Sequence, residues 1–272
     1  MKKILAIALA ALMIVSASVL LASCEPADDK PTLNVYTHAG FAPYEYLDEN
    51  GNVVGVDMDV ISYIGEQLGY KVVINDIQFN EILNEVANNK LAVGVSGMSK
   101  KPARDEVALA SDVYATSIQY VIAPKGTFEA GAVVPVADVV AYVLGQSTKS
   151  IGVQRGTTGA DLVNGAIEGS DASTMEYTNA IVASADIGTT VSAVVIDKMP
   201  AESICSNNAN LECWQLDAEM ESYVMYFNLE ATDLVAKVNT ILKNDDRRRY
   251  DRPVHRQAQR RCQLITGAHD FY

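Results

Sequence analysis

Residues 91–104 read Leu91-Ala92-Val93-Gly94-Val95-Ser96-Gly97-Met98-Ser99-Lys100-Lys101-Pro102-Ala103-Arg104, and this stretch decides the fold. The apolar run from Leu91 to Val95 has the length and bounds of a buried strand. It stops at small polar residues, and Pro102 then suits the first position of a helix that carries Arg104. Strand, polar turn and helix make the repeating unit of an open α/β sheet, where ligands sit outside the carboxyl ends of the strands. Arg104 at such a place can grip a carboxylate through two parallel hydrogen bonds, with the hydroxyls of Ser96 and Ser99 sharing the load. An Arg early in a helix is equally an ordinary solvated charge.

The same unit recurs outward in both directions. Leu33 to Tyr36 reads as a strand, Met58, Ile61, Ile64 and Leu68 fall at helical spacing, Lys71 to Ile74 is β-branched, and Ile82, Leu83 and Val86 mark another helix. A Gly- and Ala-rich stretch, Gly126 to Gln146, precedes a second series with strands at Ile151–Val153 and Ala193–Ile196. Alternation of short apolar strands with amphipathic helices predicts α/β layers. Tyr223 to Leu229 gives a further strand, and Leu234, Val235, Val238 and Leu242 share a helix face that returns to the first lobe.

Candidate site residues follow these strands. Phe41 comes after the first, and Thr157 and Thr158 follow Ile151–Val153 across the turn at Gly156. The two threonines have the type and place of a helix N-cap, so they serve either as plain caps or as part of an anion seat at free amides. Asp197 ends Ala193–Ile196 and is either the partner of an ammonium group, which a cleft cannot hold unpaired, or a cap for the turn at Met199-Pro200-Ala201-Glu202. Arg104 and Asp197 are thus opposite poles, with Phe41 and Phe79 flanking a ligand side chain; for Phe79 ordinary core packing is the alternative.

The two ends of the chain differ from its body. Lys2 and Lys3, an apolar run from Ile4 to Val15 that is short for a membrane span, and small residues up to Leu21-Ala22-Ser23-Cys24 form an export signal over 1–23. Residues 24–31 read as a polar tether. The whole chain carries a net charge of -13, but residues 24–246 hold 32 acidic against 12 basic side chains, whereas 247–272 hold seven Arg against two Asp. So acidic a body repels phosphate backbones, which excludes nucleic acid as its partner. The Arg-rich tail is either an anion-seeking extension or a segment foreign to the fold. Cys205 and Cys213 are eight apart and either close a small loop or remain free thiols; with Cys262 they have no zinc-ligand spacing, so neither metal nor cofactor is expected.

Several ordered blocks resemble the extracellular solute-binding proteins of polar amino acid ABC transporters, family 3. They are Phe41-Ala42-Pro43-Tyr44-Glu45-Tyr46, Asn50-Gly51 with Gly55-Val56-Asp57-Met58-Asp59, Gly94 to Ser99 with Pro102 and Arg104, Ser111-Asp112-Val113-Tyr114, Val153 to Thr158, and Ala193 to Asp197. The resemblance covers Leu33 to Asn244. It implies a type II periplasmic-binding-protein fold of two lobes, each a mixed sheet flanked by helices, joined by two hinge crossings. The lobes are expected over 32–123 and 124–222, with 223–246 returning to the first. In such proteins the Arg holds the ligand α-carboxylate with residues matching Ser99 and Thr158, the Asp holds the α-ammonium with the carbonyl of the residue matching Gly97, and aromatics matching Phe41 and Phe79 cover the side chain. Ser96, Met98 and Thr157 are expected to complete the pocket.

The resemblance also implies a monomer without catalytic residues, tied outside the cytoplasm by a lipidated Cys24, that delivers a free amino acid to an ABC permease. Departures are Lys101 in place of a Ser or Thr cap, the apolar pair Ala92-Val93, the Arg-rich end, and His38, where relatives that take cationic ligands often carry an acid. The last argues against Lys or Arg as ligand. Two alternatives share the fold: a cyclohexadienyl-dehydratase-like enzyme, for which Glu45 and His38 are the only nearby acid–base candidates, and a sensor module for a kinase or chemoreceptor.

Overall fold

Alternation of buried and half-exposed residues along Thr32–Thr37 places Leu33, Val35 and Thr37 on one face of the first strand, β1. The computed structural model of the chain describes residues 30–246; the export signal, Cys24 and the tail 247–272 lie outside the described residues. From β1 the chain passes through a hairpin, β2 (Tyr46–Leu47) and β3 (Val53–Val54), into helix α1 (Val56–Leu68). β4 (Lys71–Asp76), helix α2 (Ile82–Asn88), β5 (Ala92–Gly94), the one-turn helix α3 (Pro102–Asp105) and β6 (Leu109–Ala110) follow. Pro102 sits at the start of α3, and Lys101 before it makes no side-chain cap, as its residue type implies.

A hinge strand, β7 (Ala115–Ser117), then leads into a second layer built from β8 (Gln119–Pro124), β9 (Val133–Val134), helix α4 (Val136–Leu144), β10 (Ser150–Gln154), helix α5 (Thr158–Ile167), β11 (Ser173–Tyr177), helix α6 (Ala180–Ala185), β12 (Ala193–Asp197), helix α7 (Lys198–Ser206) and β13 (Leu211–Leu216). The return runs through β14 (Glu221–Tyr223), β15 (Tyr226–Phe227) and helix α8 (Thr232–Asp246).

Two mixed sheets result. The first has the order β4-β1-β5-β15-β6, with β1 parallel to β4 and β5 and β15 antiparallel to its neighbours. The second has the order β11-β10-β12-β8-β13-β9. Between them lies the antiparallel pair β7–β14, in which Ser117 faces Glu221. Gln119–Pro124, expected to close the first lobe, is a strand of the second sheet, antiparallel to β12 and β13. Apolar periodicity marks this segment as a strand but carries nothing about which sheet it joins.

Each sheet has its own core. Leu33, Val35, Ile61, Ile64, Val93 and Phe227 pack together in the first, and Val139, Val143, Val153, Val163 and Trp214 in the second. Cys205 and Cys213 are free, half-buried thiols hydrogen-bonded to each other, which holds the Cys205 thiol well above its ordinary range.

Gly55 ties the hairpin to α1 at a point no other residue fits. Its φ is +138°, and a Cβ there would lie 2.1 Å from the Tyr44 carbonyl oxygen, which accepts the Asp57 amide. Gly55→Ala must move this backbone, and a cost of about 2–4 kcal/mol is expected from strain at a special φ/ψ. A thermal melt should show a drop of at least about 5 °C for a domain of this size.

Candidate ligand-binding site

The strand ends converge on one cavity between the two sheets. Nine of the ten residues singled out in the sequence as ligand contacts border it: Phe41, Phe79, Ser96, Gly97, Ser99, Arg104, Thr157, Thr158 and Asp197. Met98 does not. Its side chain is 1% exposed and packs with Ile82, Val86 and Tyr226 in the core, because the chain turns at Gly97 and sends the next side chain inward. His38, Glu45 and Gln154 complete the lining.

Arg104 is the cationic pole. One of its terminal nitrogens donates to the Ser99 carbonyl at 2.8 Å and the other to the Gly156 carbonyl at 3.1 Å, so the guanidinium spans both sides of the cavity. It lies 5.4 Å above the Phe79 ring, which gives Phe79 a partner at the site beyond core packing. Burial lowers the Arg104 pKa from its ordinary value, opposed by Tyr226, Glu221, Asp161 and Asp197. Lys101, just before α3, pairs with Asp161 in the first turn of α5.

Asp197 is the anionic pole. It occupies the N-cap position of α7 but makes no side-chain cap, so the capping alternative does not hold. Its two oxygens accept from the Tyr223 hydroxyl at 2.6 Å and the Gln119 amide at 3.2 Å. Burial first, and the Glu221 carboxylate second, push its pKa up to about 7 against the lowering effect of these donors. Such a carboxylate is poised for a cation.

The hydroxyl groups are arranged differently from the sequence expectation. Ser96 Oγ donates to Glu45 at 2.8 Å, Ser99 Oγ donates to Glu221, and Thr158 Oγ1 donates to the same Glu221 oxygen at 2.8 Å. Thr157 Oγ1 donates to the Gln154 carbonyl and accepts the Ala160 amide, a plain N-cap. A hydroxyl has a single hydrogen, so none of these four has one left for a carboxylate. The donors left are the Arg104 guanidinium, only two of whose five hydrogens are bonded, and the first two amides of α5, which lack intrahelical acceptors.

Gly97 shapes the aromatic wall. Its φ is +49°, its amide donates to Asp57 at 2.8 Å, and a Cβ would meet the Phe41 ring at 2.6 Å. Asp57 also accepts the Tyr114 hydroxyl at 2.8 Å, which explains the block Gly55 to Asp59 as a support for the loop rather than as a ligand contact. Glu45 is fully buried near Asp57, and burial with that neighbouring charge holds its carboxyl well above the ordinary range. His38 Nδ1 donates to the Ile77 carbonyl at 2.7 Å and lies 4.0 Å from the Asp76 carboxylate, while its Nε2 is buried without a hydrogen-bond partner. Glu221 and Gln119 were not singled out in the sequence; Glu221 lies on the hinge strand β14 and Gln119 is the first residue of β8, just past the other crossing, where no apolar pattern points to a site.

Known proteins share this fold. The arginine-binding extracellular protein ArtP of Bacillus subtilis is 29% identical over 96 residues, 35% of this chain and 37% of that protein. This chain therefore matches little more than a third of that relative's length. Among solved structures, holo ArgBP from T. maritima superposes with a TM-score of 0.69 and 26% identity over 84% of this chain and 95% of its own. An ancestral arginine-binding protein bound to glutamine gives 0.72 and 25% over 88% and 99%. Both support the type II periplasmic-binding-protein architecture read from the sheets. The profile of one family spans residues 33–250, from β1 through α8, and on that match the chain belongs to the bacterial extracellular solute-binding proteins, family 3.

Proposed function

We propose that this chain captures a free amino acid between its lobes and hands it to the permease of an ABC importer. The observation that supports it is the pairing of a buried guanidinium and a buried carboxylate around one cavity, a cationic and an anionic partner for the two charges of a zwitterion. Arg104 with the α5 amides takes the ligand carboxylate, and Asp197 takes the ammonium. The first lobe is assigned to 32–117 with 224–246 and the second to 118–220, which moves the division from Ala123 to the β7–β14 pair. A ligand that touches both lobes binds the closed form selectively and shifts the population toward it. We further assign Cys24 as a lipidated residue that holds the protein at the outer face of the cell membrane.

The two phenyl rings and the unpartnered His38 Nε2 favour a side chain whose end can hydrogen-bond, and the relatives named for arginine weigh against the reading of His38 as a sign that a cationic ligand is refused. The relatives are described as binding arginine, and one as bound to glutamine. A thermal-shift screen of the purified protein against the common amino acids should give strong stabilisation by one or a few such ligands, because binding to the native state alone raises its stability. Stabilisation by none, or turnover of prephenate or arogenate, would sink the reading.

The pH dependence is specific. An ammonium ligand needs Asp197 ionised, and its pKa in the empty cleft is about 7. Affinity should be flat above that value and fall about tenfold per pH unit below it, so titration calorimetry at pH 5.5 should read about thirtyfold weaker binding than at pH 8.

A further inference from the structure

We propose that Glu221 is a fastener between the lobes, a carboxylate on the hinge that clasps one hydroxyl from each side and so sets how firmly the cleft shuts. Glu221 lies on β14, the returning crossing, opposite Ser117 on β7. One of its oxygens accepts from Ser99, on the loop after β5, and from Thr158, the first residue of α5, the latter at 2.8 Å. Its other oxygen accepts the Gln119 amide at 2.8 Å. Ser99 belongs to the first sheet's side of the cleft and Thr158 to the second, so a single atom joins two rigid bodies that separate when the cleft opens.

Position distinguishes this role from two others. Were Glu221 a ligand contact, it would face the cavity that holds Arg104 and Asp197; instead it borders a wider recess behind, together with Gln119, while Ser99 and Thr158 form the wall between the two. Were it a surface charge, it would not accept three hydrogen bonds from residues 102, 63 and 122 positions away. The ligand's carboxylate and Glu221 therefore act on opposite faces of the same wall, and the second supports the first. Charge-assisted hydrogen bonds of this kind are about twice as strong as neutral ones. Glu221 is thus a positioning residue whose effect on affinity rests on the amino acid reading, whereas its effect on lobe contact does not.

Hydrogen–deuterium exchange of the full chain without any amino acid tests it. Glu221→Ala should speed exchange at residues 97–104 and 156–160 by about fivefold or more, while β1 and β10 keep wild-type protection, since a local opening costs less than unfolding. The paired variant Ser99→Ala with Thr158→Val removes the donors instead of the acceptor and should give the same pattern, and adding Glu221→Ala to it should change little. Should Glu221→Ala fail to fold, the paired variant decides alone. Wild-type exchange at both segments, or acceleration spread equally over both sheets, overturns the proposal. Because the readout involves no ligand, it stands apart from the thermal-shift screen on which amino acid capture depends.

Discussion

Asp197→Asn abolishes useful capture of an amino acid and, at pH 8, raises the melting temperature of the empty protein. The two effects share one cause. The carboxylate is held away from water with Glu221 nearby, so its native pKa, about 7, stands well above the ordinary 3.8. A carboxyl that binds its proton more tightly when folded contributes stability that is fully present below the ordinary value and is lost as pH climbs toward the native one. At pH 8 the charge is therefore a net burden on the empty fold, and the neutral amide removes it; a rise of several degrees is expected for a gain of about 1–3 kcal/mol. In the complex the same charge is the ammonium's partner. Its loss leaves that ammonium buried and unpaired, which costs about 2–5 kcal/mol, or about 30-fold to several thousandfold in affinity. Calorimetry and a melt on one sample check both, and equal stability with near-normal affinity would refute the assignment.

Arg104→Met should weaken binding by a comparable factor yet lower, not raise, the stability of the empty protein. Its two terminal nitrogens satisfy the carbonyls of Ser99 and Gly156, on opposite sides of the cavity. Methionine fills the volume over Phe79 but leaves both acceptors without their donor, and each such loss costs about 1–3 kcal/mol where water cannot replace it. Arg104→Lys should not rescue, since a point ammonium cannot reproduce a planar fork that serves two carbonyls and a ligand carboxylate together. The opposite stability signs of the Arg and Asp variants, read in the same melt, separate a poised charge from a structural one.

Much of this was legible in the residues. Leu91 to Arg104 already had the form of a strand, a polar turn and a helix start, and Arg104 and Asp197 were readable as poles because each closes an apolar strand-and-turn unit. The fate of the hydroxyls was not. Ser99 and Thr158 look like carboxylate donors in any one-dimensional reading, and only the fold brings Glu221 to them from 122 and 63 positions away. A three-residue hinge strand has too few positions to show a period, so Glu221 does not announce itself, and Gln119 is a single polar residue ahead of the apolar run of β8. Met98 misled for a related reason: neighbours along a turning loop do not share a face, and one phase error moves a side chain from cavity to core. The sheet membership of Gln119–Pro124 was equally hidden, because β-branched residues suit either layer.

β15 sits in the interior of the first sheet, between β5 and β6, although it is made after every strand of the second. During synthesis or export the later-starting lobe thus has all its strands in hand while the earlier one still lacks a middle plank. Its amino-terminal portion has to wait with an open seam along β5, and a chain cut short before Tyr226 would spoil the end that was made first.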